Sequence, residues 1–359
     1  MENKTYHEQK EIEYTKALRE YLAELPGFVT TYMRGMKQRM QTRSRLAYAV
    51  DLKVFFTWLH DSNPLYRDKQ IRDISLSDLE SLEPFDIEEY LDHLRLYNDE
   101  SGREITNTET ALKRKMSALR SLYGYLFKNN MINVNPVIKV DMPKLHKKAI
   151  IRLDGDEVSE MLDLIETGNY NCSDHMQKYR EKLKNRDLAI ITFLLGTGLR
   201  VTEFVGINVK DLDLKNRRVK VIRKGGYEAF VYFGEEVADT LLPYLEEREA
   251  MSDVCAGHED ALFLSNQKKR ICVKSVENLV KKYAMVAAPL KPKISPHKLR
   301  STYATNLYNE TGDIYLVADV LGHSSVDTTR KHYADMTDRR RRMAAEHVHL
   351  PGDPDFKPD

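Results

Sequence analysis

The 359-residue sequence has few cysteines and lacks any long apolar run. Cys172, Cys255 and Cys272 are scattered and odd in number, and none has the CxxC or Cys/His spacing of a zinc site. A disulfide framework and a structural zinc are therefore disfavoured. No apolar run approaches the length of a membrane span, and no charged-then-apolar signal segment opens the chain, so we expect a cytoplasmic protein without a membrane partner.

The sequence also lacks a strong net charge and an acidic cluster suited to metal. Its formal net charge is +1, with 42% hydrophobic and 31% charged residues, which is typical of a folded, surface-rich helical protein. No group of two or three carboxylates has the spacing of a magnesium site. A metal-dependent nuclease is therefore disfavoured, and no metal or other cofactor is expected.

The first 140 residues have a helical pattern. An amphipathic segment from about Glu8 to Leu25 ends at Pro26-Gly27, and another runs from about Arg43 to Leu59. Asp86 is predicted to cap a short helix that reaches Leu96, because its carboxylate accepts first-turn N–H groups. We assign residues 1–140 to one helical domain.

A further helix is predicted to start at Thr106 or Asn107 and to have two unlike faces. Its apolar face contains Leu112, Met116, Leu119, Tyr123 and Leu126. Its basic and hydroxyl-bearing face contains Lys113, Arg114, Ser117 and Arg120, with Lys115 beside them. Such a helix can pack on a core and meet a DNA groove at once, but an ordinary surface helix fits equally well.

The stretch from Pro136 to Ile151 contains two prolines, four lysines and no clear period. We interpret it as an extended basic linker, with residues 141–152 as the boundary between domains. Its lysines either follow a phosphate backbone or belong to a solvated tether. Residues 153–350 form the predicted second domain, and the Pro- and Asp-rich residues 351–359 a disordered tail.

The second domain is predicted to be mainly α with a small β-hairpin, an α+β fold. A strand-like run, Arg218 to Arg223, is followed by the turn Lys224-Gly225-Gly226 and the return strand Glu228 to Phe233. The apolar run Ala261 to Ser265 is either a strand or a buried segment. Helices are predicted from Asp154, over Asp187–Leu195 before Gly196-Thr197-Gly198, and over Val273–Ala287, His297–Asn309 and Ile314–Leu321.

Three short motifs near the end of the chain contain groups suited to phosphodiester cleavage. The motifs are GTGLRVTE, HKLR and LGHSSVDTTRKHY, and their reactive side chains are Arg200, His297, Arg300, His323 and Tyr333. Cleavage passes through a phosphorane with extra negative charge, which guanidinium groups stabilise through paired hydrogen bonds. The phenol of Tyr333 is the candidate nucleophile, and it needs nearby positive charge to lose its proton.

Two further residues are candidates for supporting roles. Lys224, at the hairpin tip, either protonates the leaving 5′ oxygen or is a solvated turn lysine. Glu203, one turn after Arg200, is expected to orient an arginine or a histidine rather than to react. Each residue taken singly also fits a packing or surface role; their order within one domain favours the catalytic interpretation.

The basic residues are clustered although the net charge is small. DNA binding requires a basic face rather than a basic whole. One cluster alone fits a solvated helix face, but four clusters beside a phosphodiester-type site favour double-stranded DNA as the partner. The clusters are Arg34, Lys37, Arg39, Arg43 and Arg45; Lys113, Arg114 and Lys115; Lys144, Lys147 and Lys148; and Arg339 to Arg342.

These motifs resemble the tyrosine recombinases, or phage integrase family. GTGLRVTEFVGINVKDLDL resembles the family's first arginine box, and RKGG resembles its lysine turn. The residues that the resemblance assigns to catalysis are Arg200, Lys224, His297, Arg300, His323 and the nucleophile Tyr333, with Glu203 in support. Within the family, SPHKLRSTYATNLY and IRKGG look most like the XerS-type Xer recombinases, with mobile-element integrases as close competitors. Ser301, Ala334 and Asp335 depart from frequent family residues, but none of them removes a reacting group.

The resemblance implies a two-domain clamp on DNA, with a core-binding, SAM-like first domain and a catalytic second domain. It also implies a homotetramer on two DNA sites, which exchanges strands through a Holliday junction, and an accessory protein that sets direction. The segment from Met336 to His349 is expected to dock on a neighbouring protomer. The alternatives are a non-catalytic DNA-binding protein on a recombinase fold and a type IB topoisomerase.

Overall fold

The computed structural model describes residues 5–99, 101–144, 151–168, 180–223, 225–291, 293–322 and 326. The chain divides into two compact units, Met1–Lys148 and Ala149–Asp359. This division falls within residues 141–152, where the linker was predicted; residues 145–150 and the predicted tail, 351–359, lie outside the described part. Among the residues described, no helix combines the length and the apolar character needed to span a bilayer.

Unit 1 is helical with one small hairpin. Its elements are α1 (Tyr6–Glu24), α2 (Gly27–Gly35), α3 (Thr42–Ser62), α4 (Leu76–Glu80), α5 (Pro84–His93), β1 (Leu96–Asn98), β2 (Glu104–Thr106) and α6 (Glu109–Lys128). β1 and β2 are antiparallel, with Leu96 opposite Thr106. The core of the unit contains tightly packed aromatic rings: Phe55 lies 5.1 Å from Tyr90 and 5.2 Å from Phe56, centroid to centroid.

The first two long helices expected in this unit are confirmed as α1 and α3. α1 begins after Thr5, whose side chain and that of Glu8 form a reciprocal cap, and ends before Pro26. α3 ends at Ser62, before Asn63-Pro64, as the sequence predicts. The helix α2 was not predicted, because Pro26-Gly27 looked like a pure breaker; in fact Pro26 is its N-cap residue.

Two helix starts differ from the prediction. Glu83, not Asp86, is the N-cap residue of α5. Asp86 is the third residue of the helix, and its carboxylate accepts a hydrogen bond from the Glu83 N–H at 2.7 Å. The helix ends at His93 rather than at Leu96, which belongs to β1. α6 is capped by Thr108, because the residues up to Thr106 are used by β2.

The apolar face of α6 is confirmed, since all five of its predicted members are buried. The prediction of an extended linker from Pro136 was wrong at its start. Pro136–Lys139 form a 3₁₀ turn, and Pro136, Val137 and Val140 are buried in unit 1. The side chains of Val137 and Val140 belong to the hydrophobic core of that unit, so the linker cannot begin before residue 141.

Unit 2 is mainly helical with a small antiparallel sheet. Its elements are α7 (Gly155–Thr167), α8 (Lys184–Thr197), α9 (Val201–Phe204), β3 (Leu212–Asp213), β4 (Arg218–Ile222), β5 (Glu228–Tyr232), α10 (Glu235–Glu249), α11 (Val273–Ala287), α12 (Pro296–Thr311) and α13 (Ile314–Leu321). The α+β fold class is thereby confirmed, as are the helices expected at α7, α8, α11, α12 and α13.

The predicted hairpin is present and forms part of a three-stranded sheet. β4 pairs with β5 from Arg218 opposite Tyr232 to Ile222 opposite Glu228, and β3, which was not predicted, pairs with the other edge of β4. The run from Ala261 to Leu264 is a buried segment with isolated bridges rather than a strand. Tyr244 of α10 holds this segment, since its hydroxyl donates to the Leu262 carbonyl and accepts from the Leu264 N–H, both at 3.0 Å.

Candidate active site

Arg200 stands directly after α8 at a tight turn. Gly198 ends the helix with φ of 60°, a left-handed conformation that favours glycine. A methyl group at Gly198 would also overlap the ring of Tyr303 in α12. The turn therefore places Arg200 at the start of α9, while Gly198 itself lies close against Tyr303 of α12.

Glu203 fixes Arg200 through two bonds. One carboxylate oxygen accepts from the Arg200 main-chain N–H at 3.0 Å, and the other accepts from its guanidinium at 2.8 Å. The Glu203 side chain is 5% exposed, whereas that of Arg200 is 32% exposed. Glu203 was expected to orient an arginine or a histidine, and in the structure it binds an arginine, Arg200.

Arg300 is buried, with only 5% of its surface exposed. It lies on α12, which starts with Pro296 after Ser295. Its Nη1 donates to the Gly198 carbonyl at 2.8 Å, and its Nη2 donates to the Leu321 carbonyl at 2.6 Å. A charged group this deeply buried needs such partners, because its desolvation is costly. Arg300 thus joins the first motif to the third.

The two arginines meet at the end of α13. Arg200 donates to the Gly322 carbonyl at 3.2 Å, next to the Leu321 carbonyl that Arg300 binds. Gly322 ends α13 with φ of 61°, and His323 is the next residue in the chain. Residues from three separate motifs therefore converge on one turn.

His297 is exposed on the first turn of α12, three residues before Arg300. Residues three apart lie on the same side of a helix. Ser301, which departs from the family pattern, donates its hydroxyl to the His297 carbonyl at 3.1 Å. Of the predicted catalytic residues, Lys224, His323 and Tyr333 lie outside the described residues, as do Lys147, Lys148 and the segments 336–349 and 339–342.

Sequence reasoning missed Arg223. It follows β4 and donates to the main-chain carbonyls of Asp319 at 3.3 Å and Val320 at 2.8 Å. Those partners are main-chain atoms almost a hundred residues further along the chain, so no local pattern indicates the contact. A third arginine thus reaches the same helix end.

Lys115 differs from its predicted place on a DNA-facing surface. It is 7% exposed, and its ammonium group lies 3.2 Å from Asp51 of α3. The Asp51 side chain is fully buried and also accepts from Arg114 at 2.5 Å. Burial raises the pKa of Asp51, and the charges of Lys115 and Arg114 oppose that rise. A buried carboxylate needs a cation beside it, and Lys115 provides one. Lys115 therefore forms an ion pair inside unit 1 instead of lying on a DNA-facing surface.

The other basic candidates of unit 1 divide by exposure. Arg43 is exposed and Arg114 is exposed beside Asp51, whereas Lys113, Arg45 and Arg120 are half-buried. Arg120 donates to the Val140 carbonyl, and the half-buried Ser117 donates back to the Lys113 carbonyl at 2.8 Å. Part of the basic face of α6 therefore forms contacts within unit 1, namely those of Arg114 and Lys115 with Asp51 and of Arg120 with Val140.

The entry of the chain into unit 2 is fixed to the helix that carries Arg300. The N–H of Leu153 donates to the Thr302 hydroxyl at 3.0 Å, and this hydroxyl donates to the Lys298 carbonyl. Lys291 pairs with both Asp154 and Glu157 at 2.6 Å. Its hydrogen bond holds the pKa of the Asp154 carboxyl below its usual value.

Two protein-family profiles match the chain. The phage integrase family profile matches residues 151–340, and the profile of the phage integrase N-terminal SAM-like domain matches residues 29–130. The chain belongs to the phage integrase family, the tyrosine recombinases, a class of enzymes that transfer DNA strands.

Among its relatives is tyrosine recombinase XerC of Caldanaerobacter subterraneus, 34% identical over 343 residues, which cover 94% of this chain and 89% of that protein. Tyrosine recombinase XerS of Streptococcus uberis is 33% identical over 338 residues, 87% of this chain and 92% of that protein. The Tn1549 transposon integrase, solved with a circular intermediate DNA, matches the fold with a TM-score of 0.63 at 20% identity; the match covers 89% of this chain and 99% of that one.

Proposed function

We propose that this protein is a site-specific recombinase that cuts and rejoins double-stranded DNA with Tyr333 as the nucleophile. The observation that carries the proposal is the convergence of Arg200 and Arg300 on the carbonyls of Gly322 and Leu321. These carbonyls immediately precede His323 in the motif that ends at Tyr333.

The two arginines suit the charge that develops during cleavage. A five-coordinate phosphorane carries extra negative charge on its non-bridging oxygens, and fixed guanidinium groups bind it more strongly than they bind the substrate. The carboxylate of Glu203 orients Arg200, and two carbonyls orient Arg300. Groups held in advance do not have to be reorganised during the reaction.

The covalent step transfers a DNA strand to the protein. The Tyr333 phenol gives up its proton to His297 or His323 and its oxygen bonds to phosphorus, the bond from phosphorus to the 5′ oxygen breaks, and the leaving oxygen takes a proton from Lys224. The products are a 3′-phosphotyrosyl bond and a free 5′-hydroxyl. Because the phosphotyrosyl bond conserves the energy of the phosphodiester, religation needs no ATP. His297 and His323 donate to the phosphate or move protons near neutral pH.

The proposed assembly is a homotetramer on two duplexes, in which one pair of strands is exchanged through a Holliday junction before the other. Its DNA contacts in unit 1 come from Arg43, Lys113 and Arg114, with Lys147 and Lys148 of the linker. The residues from 336 to 349 dock on a neighbouring protomer. Relatives named XerC and XerS support a role in chromosome dimer resolution, and the likeness to a transposon integrase supports integration and excision, with an accessory protein setting direction.

A nicked suicide substrate tests this function, because the cleaved end diffuses away and the covalent adduct accumulates. The wild type is expected to form an adduct that migrates slowly on a denaturing gel, and Tyr333→Phe is expected to bind the same DNA without forming it. Tyr315→Phe, at an exposed tyrosine of α13, is the matched control and should form the adduct as the wild type does. Binding without any adduct from the wild type would indicate a non-catalytic protein. Relaxation of a plasmid that lacks a specific site would indicate a topoisomerase.

A further inference from the structure

Three guanidinium groups bind four successive carbonyls at the end of α13. Arg223 donates to Asp319 and Val320, Arg300 donates to Leu321, and Arg200 donates to Gly322. The last carbonyls of a helix lack the usual partner four residues further on and carry partial negative charge; among these four, the Asp319 carbonyl also accepts from the Gly322 N–H at 2.8 Å. Cations at this end therefore stabilise it. Two of the three arginines belong to the proposed catalytic set, whereas Arg223 belongs to the hairpin.

The turn at Gly322 leaves room for Arg223. A methyl group at position 322 would overlap the Arg223 guanidinium itself. Glycine is needed here for its positive φ and also for this close approach. The contact between the hairpin and the helix end thus depends on the Arg223 side chain and on the absence of a side chain at Gly322.

Arg223 also closes the hairpin turn with its main chain. Its N–H donates to the Tyr227 carbonyl, and its carbonyl accepts from the Gly226 N–H, both at 3.0 Å. The same residue therefore holds the ends of the turn together and attaches the turn to α13. Lys224 follows it directly in the sequence, and consecutive Cα atoms are about 3.8 Å apart.

We propose that Arg223 is a positioning residue, which sets the place of Lys224 relative to the turn that Arg200 and Arg300 share. Arg223 itself does not contact the reacting atoms. It acts by bonding the base of the hairpin to the carbonyls of Asp319 and Val320. The inference rests on the proposed function, because it gives Lys224 the task of protonating the leaving 5′ oxygen.

A substrate that needs no proton for its leaving group isolates this role. In a 5′-bridging phosphorothiolate, the Tyr333 oxygen bonds to phosphorus and the bond from phosphorus to sulfur breaks. The sulfur leaves as a thiolate, which is stable without protonation. A protein that has lost its general acid is therefore slow on ordinary DNA but not on this substrate.

Arg223→Ala is expected to form the covalent adduct about 10- to 100-fold more slowly than the wild type on ordinary DNA, a loss within the range of general acid catalysis. On the phosphorothiolate its rate should return to within about threefold of the wild type, as that of Lys224→Ala should. Arg223→Lys retains one cationic donor group near the helix end, so its rate on ordinary DNA should lie between those of the wild type and Arg223→Ala. Each rate is measured in a single turnover at saturating protein.

Arg218→Ala is the matched control, because Arg218 is another hairpin arginine but pairs with Asp213 at 2.9 Å rather than with α13. Its ratio of rates on the two substrates should equal that of the wild type. Equal losses by Arg223→Ala on both substrates, or no loss on either, would overturn the proposal. Failure of the wild type to form any adduct would instead refute the proposed function, so the two failures are distinguishable.

Discussion

The guanidinium group of Arg300 donates a hydrogen bond to the main-chain carbonyl of Gly198, at 2.8 Å. The two residues are 102 positions apart, and they belong to the motifs HKLR and GTGLR. Because Gly198 ends α8 and Arg200 follows two residues later, this bond sets the distance between the two proposed phosphate-binding arginines. Both arginines also donate to carbonyls at the end of α13, Arg200 to that of Gly322 and Arg300 to that of Leu321.

Arg300→Lys should lower the rate of covalent-adduct formation by about 100-fold or more, the usual effect of removing a donor to developing charge. A lysine ammonium is a point charge, and it cannot bridge the carbonyls of Gly198 and Leu321 as a planar fork does. The rate is measured in a single turnover on the suicide substrate.

Arg270→Lys is the control for Arg300→Lys. Arg270 also donates to two main-chain carbonyls, those of Val205 at 3.0 Å and Ile207 at 2.9 Å, but it lies in none of the three motifs. Its replacement should lower stability and leave the adduct rate of the folded protein unchanged. A similar loss of rate in both variants would contradict a specific role for Arg300.

Glu203→Gln should slow adduct formation by about tenfold and leave DNA binding unchanged. The glutamine oxygen still accepts one of the two hydrogen bonds, but its NH2 group cannot accept the other and the charge that orients Arg200 is lost. A charge-assisted bond exceeds a neutral one by about 1–1.5 kcal/mol. That energy corresponds to about tenfold in rate. Adduct rate and affinity are measured on the same DNA, and a weaker affinity with an unchanged rate would argue against orientation of Arg200.

Lys113→Met should reduce the dependence of DNA affinity on salt, whereas Lys115→Met should not. Each phosphate contact contributes about 0.9 to the slope of log affinity against log salt concentration. Lys115 is buried against Asp51, but Lys113 is only half-buried. Fluorescence of Trp58, the single tryptophan and a member of the unit 1 core, checks that both variants are folded. Equal slopes for the two variants would refute the distinction.

Tyr244→Phe should destabilise unit 2 by about 1–3 kcal/mol, since the buried Leu264 N–H loses its acceptor. Burial raises the pKa of Tyr244 to about 12, whereas an unfolded tyrosine titrates near 10. Between these values the unfolded state loses the proton and the folded state keeps it, so stability falls as the pH rises. The deficit of the variant should therefore be smaller at about pH 11 than at about pH 8, as measured by urea unfolding and circular dichroism. A constant deficit would show that Tyr244 does not titrate as proposed.

The elements predicted correctly are those whose signals are local. α1 and α3 have a helical period with breakers after it, and the β4–β5 hairpin has alternation around Gly225-Gly226. The elements that escaped prediction depend on distant partners. β1 and β2 have three residues each, too few for a pattern, and the burial of Lys115 depends on Asp51, 64 residues earlier.

The candidate site shows the same division. The pairing of Arg200 with Glu203 follows from a spacing of three residues, and both were identified. Arg223 was not, because a main-chain carbonyl is present at every position and so leaves no trace in the sequence. Contacts between a side chain and a side chain nearby can be inferred from spacing, whereas those to the backbone of another element require the structure.

The bond from Leu153 to Thr302 determines where a separable catalytic fragment must begin. A fragment starting at Leu153 would place a charged amino terminus where the amide now donates to a buried hydroxyl. A fragment starting a few residues earlier would retain that amide beside the ion pairs of Asp154 and Glu157 with Lys291, which both fragments contain. Protease protection in the intact protein should accordingly begin at Leu153.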